Sequence, residues 1–231
     1  MLNIQGFQKT TLLDYPGHVA ATVFVGGCNM RCPFCHNMNI VLAPPVPSYT
    51  KEEILDFLSR RSGILDGVCI TGGEPTIYDE LPDFIRQIKD TGLKVKLDTN
   101  GTNPQMLLLL INEQLIDYVA MDIKSSLSGY ERACGISGIR LTPIKESIDL
   151  LINGKCDYEF RTTCVNEFLD DGMINDIGVL IKGAAKYYLQ GYVGSEYVPD
   201  KTLTAVSKEK LLQYVQKLSK YVDHVEIRGM D

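Results

Sequence analysis

The sequence predicts an α/β fold arranged as a partial parallel barrel, and two observations predict it. Short runs rich in Val, Ile and Phe alternate with longer amphipathic segments, the pattern of repeated βα units around a parallel sheet. Glycine-rich and polar segments recur directly after the predicted strands, at the carboxyl ends where parallel α/β folds place their sites. Six or seven units can be counted. Eight would close a full barrel, so a barrel open on one side is the better fit.

In order, residues 19–25 form the first predicted strand, which feeds a cysteine-bearing loop at residues 26–37. The run Ala43-Pro44-Pro45-Val46-Pro47 reads as an extended connector. A helix follows over residues 49–60, with Thr50 as N-cap, Glu53 completing a capping box and Ile54, Leu55 and Leu58 as the apolar stripe. Residues 67–71 are the next strand, and residues 81–90 a helix closed by Gly92. Residues 93–98 form a third strand, residues 104–112 a Leu-rich helix with Pro104 in its first turn, and residues 117–123 a fourth strand. Segments 142–152, 158–164, 170–185, 187–193, 207–221 and 224–227 continue the alternation.

At 231 residues the chain is expected to form a single domain, residues 1–231, around one substantial core. The formal charge is −6, from 23 basic against 29 acidic residues, and the basic residues do not cluster, so nucleic-acid binding is not expected. No apolar run reaches the roughly 18 residues of a membrane span. Without a signal-like N-terminus the protein is expected to be soluble and cytoplasmic, its cysteines reduced rather than paired in disulfides.

Cys28, Cys32 and Cys35 form a Cys-x3-Cys-x2-Cys run. Four thiolates would close a metal site, whereas three on one short loop leave a coordination position open for chemistry. Structural zinc would need a second hook, and neither another Cys-x2-Cys nor a His-x3-His follows. Cys69, Cys134, Cys156 and Cys164 are single and scattered. A four-iron four-sulfur (4Fe-4S) cluster accepts such a tripod of soft ligands.

This loop resembles the signature of the radical S-adenosylmethionine (radical SAM) enzymes. The resemblance implies a (β/α)6 partial barrel of the TIM-like type, a 4Fe-4S cluster whose open iron chelates SAM, and one-electron cleavage of SAM to a 5′-deoxyadenosyl radical. Phe34 matches the aromatic position of that signature, where the ring lies near the adenine. Thr71-Gly72-Gly73-Glu74-Pro75 follows the second predicted strand. Alone it could be an ordinary Gly-Gly turn; its place matches the family segment whose backbone holds the SAM ammonium, with Glu74 fixing the loop. Asp98-Thr99-Asn100-Gly101 and Met121-Asp122-Ile123-Lys124 end the next two strands. By themselves they could be a local turn and a surface ion pair. Both are similar to segments of glycyl-radical-enzyme activases, which implies a monovalent cation near Asp98, Thr99 and Asp122 beside the SAM carboxylate, and contact between Lys124 and that carboxylate.

Arg161 lies within an otherwise apolar strand, so it either faces an anion inside the barrel or sits at the rim. Gln190 is a candidate adenosine or ribose contact, or a structural polar residue. The N-terminal Gly6-Phe7-Gln8-Lys9-Thr10-Thr11-Leu12-Leu13-Asp14-Tyr15-Pro16-Gly17 and the Cys35-His36-Asn37 exit resemble the activases, nearest to those of anaerobic ribonucleoside-triphosphate reductase of the longer type. That implies a glycyl radical enzyme, the anaerobic reductase, as partner, and a low-potential electron donor such as flavodoxin or ferredoxin. Two alternatives stand beside it: a radical SAM enzyme acting on a small molecule, similar to 7-carboxy-7-deazaguanine synthase, and a non-catalytic iron-sulfur protein.

Overall fold

The computed structural model describes residues 2–43 and 46–230, so Pro44 and Pro45 of the expected connector lie outside the described residues. Eight strands are hydrogen-bonded in sequence order. The chain divides into two compact units, residues 1–29 with 39–120, and residues 30–38 with 121–231.

The first unit carries strands β1 (Ile4–Thr11), β2 (Ala20–Val25), β3 (Gly67–Gly72) and β4 (Lys94–Thr99). β1 runs antiparallel to β2, whereas β2, β3 and β4 are parallel neighbours. β1 is not among the predicted strands. It is an irregular strand with two register shifts on β2, and its Gln8, Lys9 and Thr10 are exposed, so it offers no apolar run. β2 and β3 are buried almost continuously, as parallel strands covered on both faces are.

After β1 the segment Asp14-Tyr15-Pro16-Gly17 turns the chain: His18 N–H donates to the Tyr15 carbonyl at 3.1 Å and Gly17 has φ +73°. Tyr15 packs with Ala20 and Tyr118 in the core, and Asp14 accepts from the Thr22 hydroxyl at 2.5 Å.

A short helix α1 (Met38–Val41) leaves the cysteine loop, and α2 (Lys51–Arg61) follows with its capping box formed. Glu53 N–H donates to the Thr50 hydroxyl at 3.2 Å, and Thr50 N–H donates to the Glu53 carboxylate at 2.7 Å. Helices α3 (Leu81–Lys89) and α4 (Pro104–Asn112) bury Phe84, Ile85, Ile88, Leu107 and Leu110.

β5 (Tyr118–Asp122) begins in the first unit and ends in the second. The second unit then holds α5 (Tyr130–Cys134), α6 (Thr142–Asn153), β6 (Asp157–Cys164), α7 (Asp171–Leu180), β7 (Lys186–Gly191), α8 (Lys208–Leu218) and β8 (His224–Arg228). β6, β7 and β8 pair in parallel. α7 is shorter than the predicted 170–185: Gly183 adopts φ +89° and its N–H donates to the Tyr221 carbonyl, which ends the helical run. Among the described residues no helix is long and apolar enough to cross a membrane.

Candidate active site

Strand order sends the carboxyl ends of β2 to β7 into the cysteine loop, the Gly-Gly loop and the polar segments after them. The cysteine loop itself has little regular structure between β2 and α1. Its turn is closed by Cys35 N–H donating to the Cys32 carbonyl at 3.1 Å. In the second unit, Arg31 N–H donates to the Cys134 carbonyl at 2.8 Å. Gly135, at φ +69°, ends α5 where an added Cβ would lie 2.1 Å from the Arg31 carbonyl oxygen, so only glycine lets these two backbones meet. Cys32 is buried, Cys28 and Cys35 are partly exposed, and none of the three is in a disulfide.

In the first unit the Gly-Gly loop lies against the start of the cysteine loop. Gly73 N–H donates to the Val25 carbonyl at 2.7 Å and Glu74 N–H to the Gly27 carbonyl at 3.0 Å. With those donors engaged, what this loop can offer a ligand is carbonyl oxygen, an acceptor suited to an ammonium. A Cβ on Gly73 would lie 1.8 Å from the Gly27 oxygen, and Gly72 has φ +107°. Gly73→Ala is therefore expected to destabilise the fold by about 3 kcal/mol, because backbone cannot yield as a side chain does. A urea midpoint equal to that of the unsubstituted chain would contradict this.

Glu74 explains how the loop is held. Its carboxylate is 1 % exposed and accepts from the Thr76 N–H (3.1 Å) and hydroxyl (2.5 Å), the Thr99 hydroxyl (2.8 Å) and the Asn100 N–H (2.6 Å). Burial pushes its titration up, and these hydrogen bonds oppose that shift. Thr99 thus points its hydroxyl at Glu74.

Asp98 lies among a lysine, a threonine and a thiol. Its carboxylate pairs with the Lys96 ammonium and accepts from the Thr71 hydroxyl at 3.0 Å, with the Cys69 thiol at 3.8 Å. Lys96 is 2 % exposed and lies 3.7 Å from the Cys69 sulfur, its register partner on β3. A buried ammonium already balances this carboxylate. The alternation Val95-Lys96-Leu97-Asp98, two polar side chains on one face of a strand, is the signal that could have found it.

In the second unit, Asp122 binds two cations. Lys124 Nζ donates to Oδ2 at 2.9 Å and Arg161 Nε to Oδ1 at 3.0 Å. Arg161 therefore has its anion in Asp122. Burial would raise the Asp122 carboxyl, but the charges of Arg161 and Lys124 outweigh it and hold it down at about 2. Burial likewise works against the Lys124 ammonium, and Asp122 keeps it firmly protonated. Tyr130 is fully buried beside this group, and burial raises its titration, with the Lys124 backbone and ammonium opposing. Short and polar-flanked, α5 gave no periodicity by which to find it.

Phe34, 4 % exposed, packs edge-on against Phe168 with centroids 5.5 Å apart. Gln190 sits at the end of β7, partly exposed and in register with Thr163 and Arg228.

Among the described residues no three His, Cys, Asp or Glu side chains stand gathered as a metal site. The tripod fits an iron-sulfur cluster by donor chemistry and spacing: three thiols outside any disulfide, within eight residues of one loop. A family model for the radical SAM superfamily matches residues 22–177, and the chain belongs to that superfamily. It is thus an enzyme of the class that uses a 4Fe-4S cluster and SAM on a TIM-like α/β partial barrel.

More particular is a relative in Methanocaldococcus jannaschii, provisionally named a glycyl-radical enzyme activating enzyme. It is 35% identical over 237 residues, spanning 99% of this chain and 96% of that protein. The pyruvate formate-lyase-activating enzyme of Clostridium pasteurianum is 33% identical over 106 residues, 44% of each chain. The structure of Streptococcus suis SuiB bound to S-adenosylmethionine aligns with a TM-score of 0.70 at 13% identity, over 88% of this chain and 48% of that one, a likeness of fold.

Proposed function

We propose that this chain is a glycyl-radical-enzyme activase whose partner is an anaerobic ribonucleoside-triphosphate reductase. The observation that carries the activase reading is the end-to-end similarity, 35% identity over 99% of the chain, to a relative of that provisional name. The reductase as partner rests on the N-terminal segment from Gly6 to Gly17.

In this reading Cys28, Cys32 and Cys35 hold the cluster, which when bound supplies the electron that cleaves SAM so that the adenosyl fragment can take hydrogen from a glycine Cα of the partner. The chain's own residues bind and orient. Carbonyls of the loop at Gly72, Gly73 and Glu74 receive the SAM ammonium. Lys124, one of whose three N–H donors is engaged by Asp122, offers another to the SAM carboxylate. Arg161 keeps Asp122 ionised and so fixes the Lys124 ammonium. Phe34 and Gln190 border the adenosine. Asp98 pairs with the Lys96 ammonium. No side-chain base is required, because hydrogen abstraction moves an atom rather than a proton. A low-potential donor such as flavodoxin or ferredoxin supplies the electron.

The test is anaerobic. The cluster is reconstituted, reduced and given SAM, and 5′-deoxyadenosine is measured by liquid chromatography with and without the reductase. Release of 5′-deoxyadenosine that rises when the reductase is added is expected. A fully loaded cluster that cleaves no SAM contradicts the enzyme reading. Cleavage stimulated only by a small-molecule substrate, and never by a glycyl radical enzyme, contradicts the activase reading.

A further inference from the structure

We propose that Asn100 is a positioning residue for the cluster, donating an N–H···S hydrogen bond to the Cys28 thiolate and thereby raising the cluster's reduction potential. The inference rests on the reading of Cys28 as a cluster ligand. Asn100 is 5 % exposed and its side-chain N–H2 points at the cysteine loop: Nδ2 lies 3.9 Å from Cys28 Sγ and 2.8 Å from Asn29 Oδ1. It cannot swing freely. Its main-chain N–H is tied to Glu74 Oε2 at 2.6 Å, and its Oδ1 accepts from the Thr102 N–H at 3.0 Å and hydroxyl at 2.7 Å. Asn29 Nδ2 in turn donates to Thr102 Oγ1 at 2.7 Å, which closes a ring of Asn29, Asn100 and Thr102.

The Thr102 main-chain N–H on Oδ1 is enough to fix which end of the Asn100 amide faces sulfur, and the hydroxyl adds to it. Because Oδ1 is occupied by two Thr102 donors, the N–H2 end is directed at Cys28 and Asn29. A thiolate gains electron density when the cluster is reduced, so a fixed N–H donor stabilises the reduced state more than the oxidised one. Glu74, in the Gly-Gly-Glu-Pro loop, anchors the same asparagine by its backbone. The loop proposed to hold SAM and the first ligand of the cluster are therefore linked through Asn100.

The test uses the reconstituted holoprotein without SAM, poised at the potential where the unsubstituted cluster is half reduced, with the reduced cluster counted by electron paramagnetic resonance. Asn100→Ala should load iron and sulfide normally and lower the ratio of reduced to oxidised cluster by about fivefold, the worth of one hydrogen bond. Thr102→Val breaks the ring but leaves the Thr102 N–H on Asn100 Oδ1, so it should leave the ratio unchanged. An unchanged ratio in Asn100→Ala overturns the proposal, and so does an equal fall in both variants, which would mark a purely structural clamp. Asn100→Ser serves if Asn100→Ala does not fold; failure of both to fold assigns the residue to the scaffold and overturns the proposal. If the unsubstituted chain binds no cluster, the reading of Cys28 falls first, a result distinct from all of these.

Discussion

A Cys32→Ala chain is expected to take up no four-iron cluster and to release no 5′-deoxyadenosine, while Cys134→Ala keeps both. The two cysteines are both buried, so burial does not separate them; their partners do. Cys32 belongs to the tripod, and its neighbour Lys124 is a fixed cation that favours a thiolate. The Cys134 thiol instead donates to the carbonyls of Glu131 (3.6 Å) and Ile136 (3.8 Å), and burial raises its titration. What Cys134 gives the cysteine loop is its main-chain carbonyl, which alanine retains. Losing the sulfur should cost on the order of 1 kcal/mol in packing. Iron and sulfide per chain, with cluster absorbance, check this. Equal loss of cluster in both variants would overturn the ligand assignment.

Asp122→Asn is expected to cost about 3 to 5 kcal/mol at neutral pH, a large share of the stability of one domain. The carboxylate balances both Lys124 and Arg161, whose side chains are 17% and 14% exposed, and the substitution leaves two cations without their shared anion. The pH dependence has a definite sign. The folded carboxyl titrates at about 2, below its ordinary 3.8, so its stabilising contribution is complete above the ordinary value and is lost as pH falls from about 4 toward 2. Urea unfolding should therefore show a gap between the two proteins that is constant from about pH 5 upward and narrows below about pH 4. A gap that stays constant into acid, or none at neutral pH, would contradict the role given to Asp122.

Much of the fold was legible because parallel strands buried on both faces leave unbroken apolar runs, as in Val68-Cys69-Ile70 and Val119-Ala120-Met121. α2 and α4 were equally plain, since Thr50 with Glu53 and Pro104 mark their starts. β1 was not legible: it lies at the antiparallel edge, three of its residues face solvent, and its Gly-Phe-Gln-Lys-Thr string reads as a motif before it reads as a strand. α1 and α5, of four and five residues, are too short for any helical period to show.

At the site, spacing was enough for the tripod and the strand-end segments. It could not reveal which groups answer one another across strands. That Lys96 neutralises Asp98, that Arg161 finds its anion in Asp122, and that Asn100 joins Glu74 to Cys28 are facts of register and side-chain direction, and these arise only once strands pair.

The most direct measurement of the central claim is electron paramagnetic resonance on the anaerobic ribonucleoside-triphosphate reductase after incubation with the reduced, cluster-loaded protein and SAM. A carbon-centred glycyl radical on the reductase, formed in step with 5′-deoxyadenosine and absent with Cys32→Ala, is the predicted result. SAM cleavage that proceeds while the reductase and every other glycyl radical enzyme offered stay free of radical would contradict it.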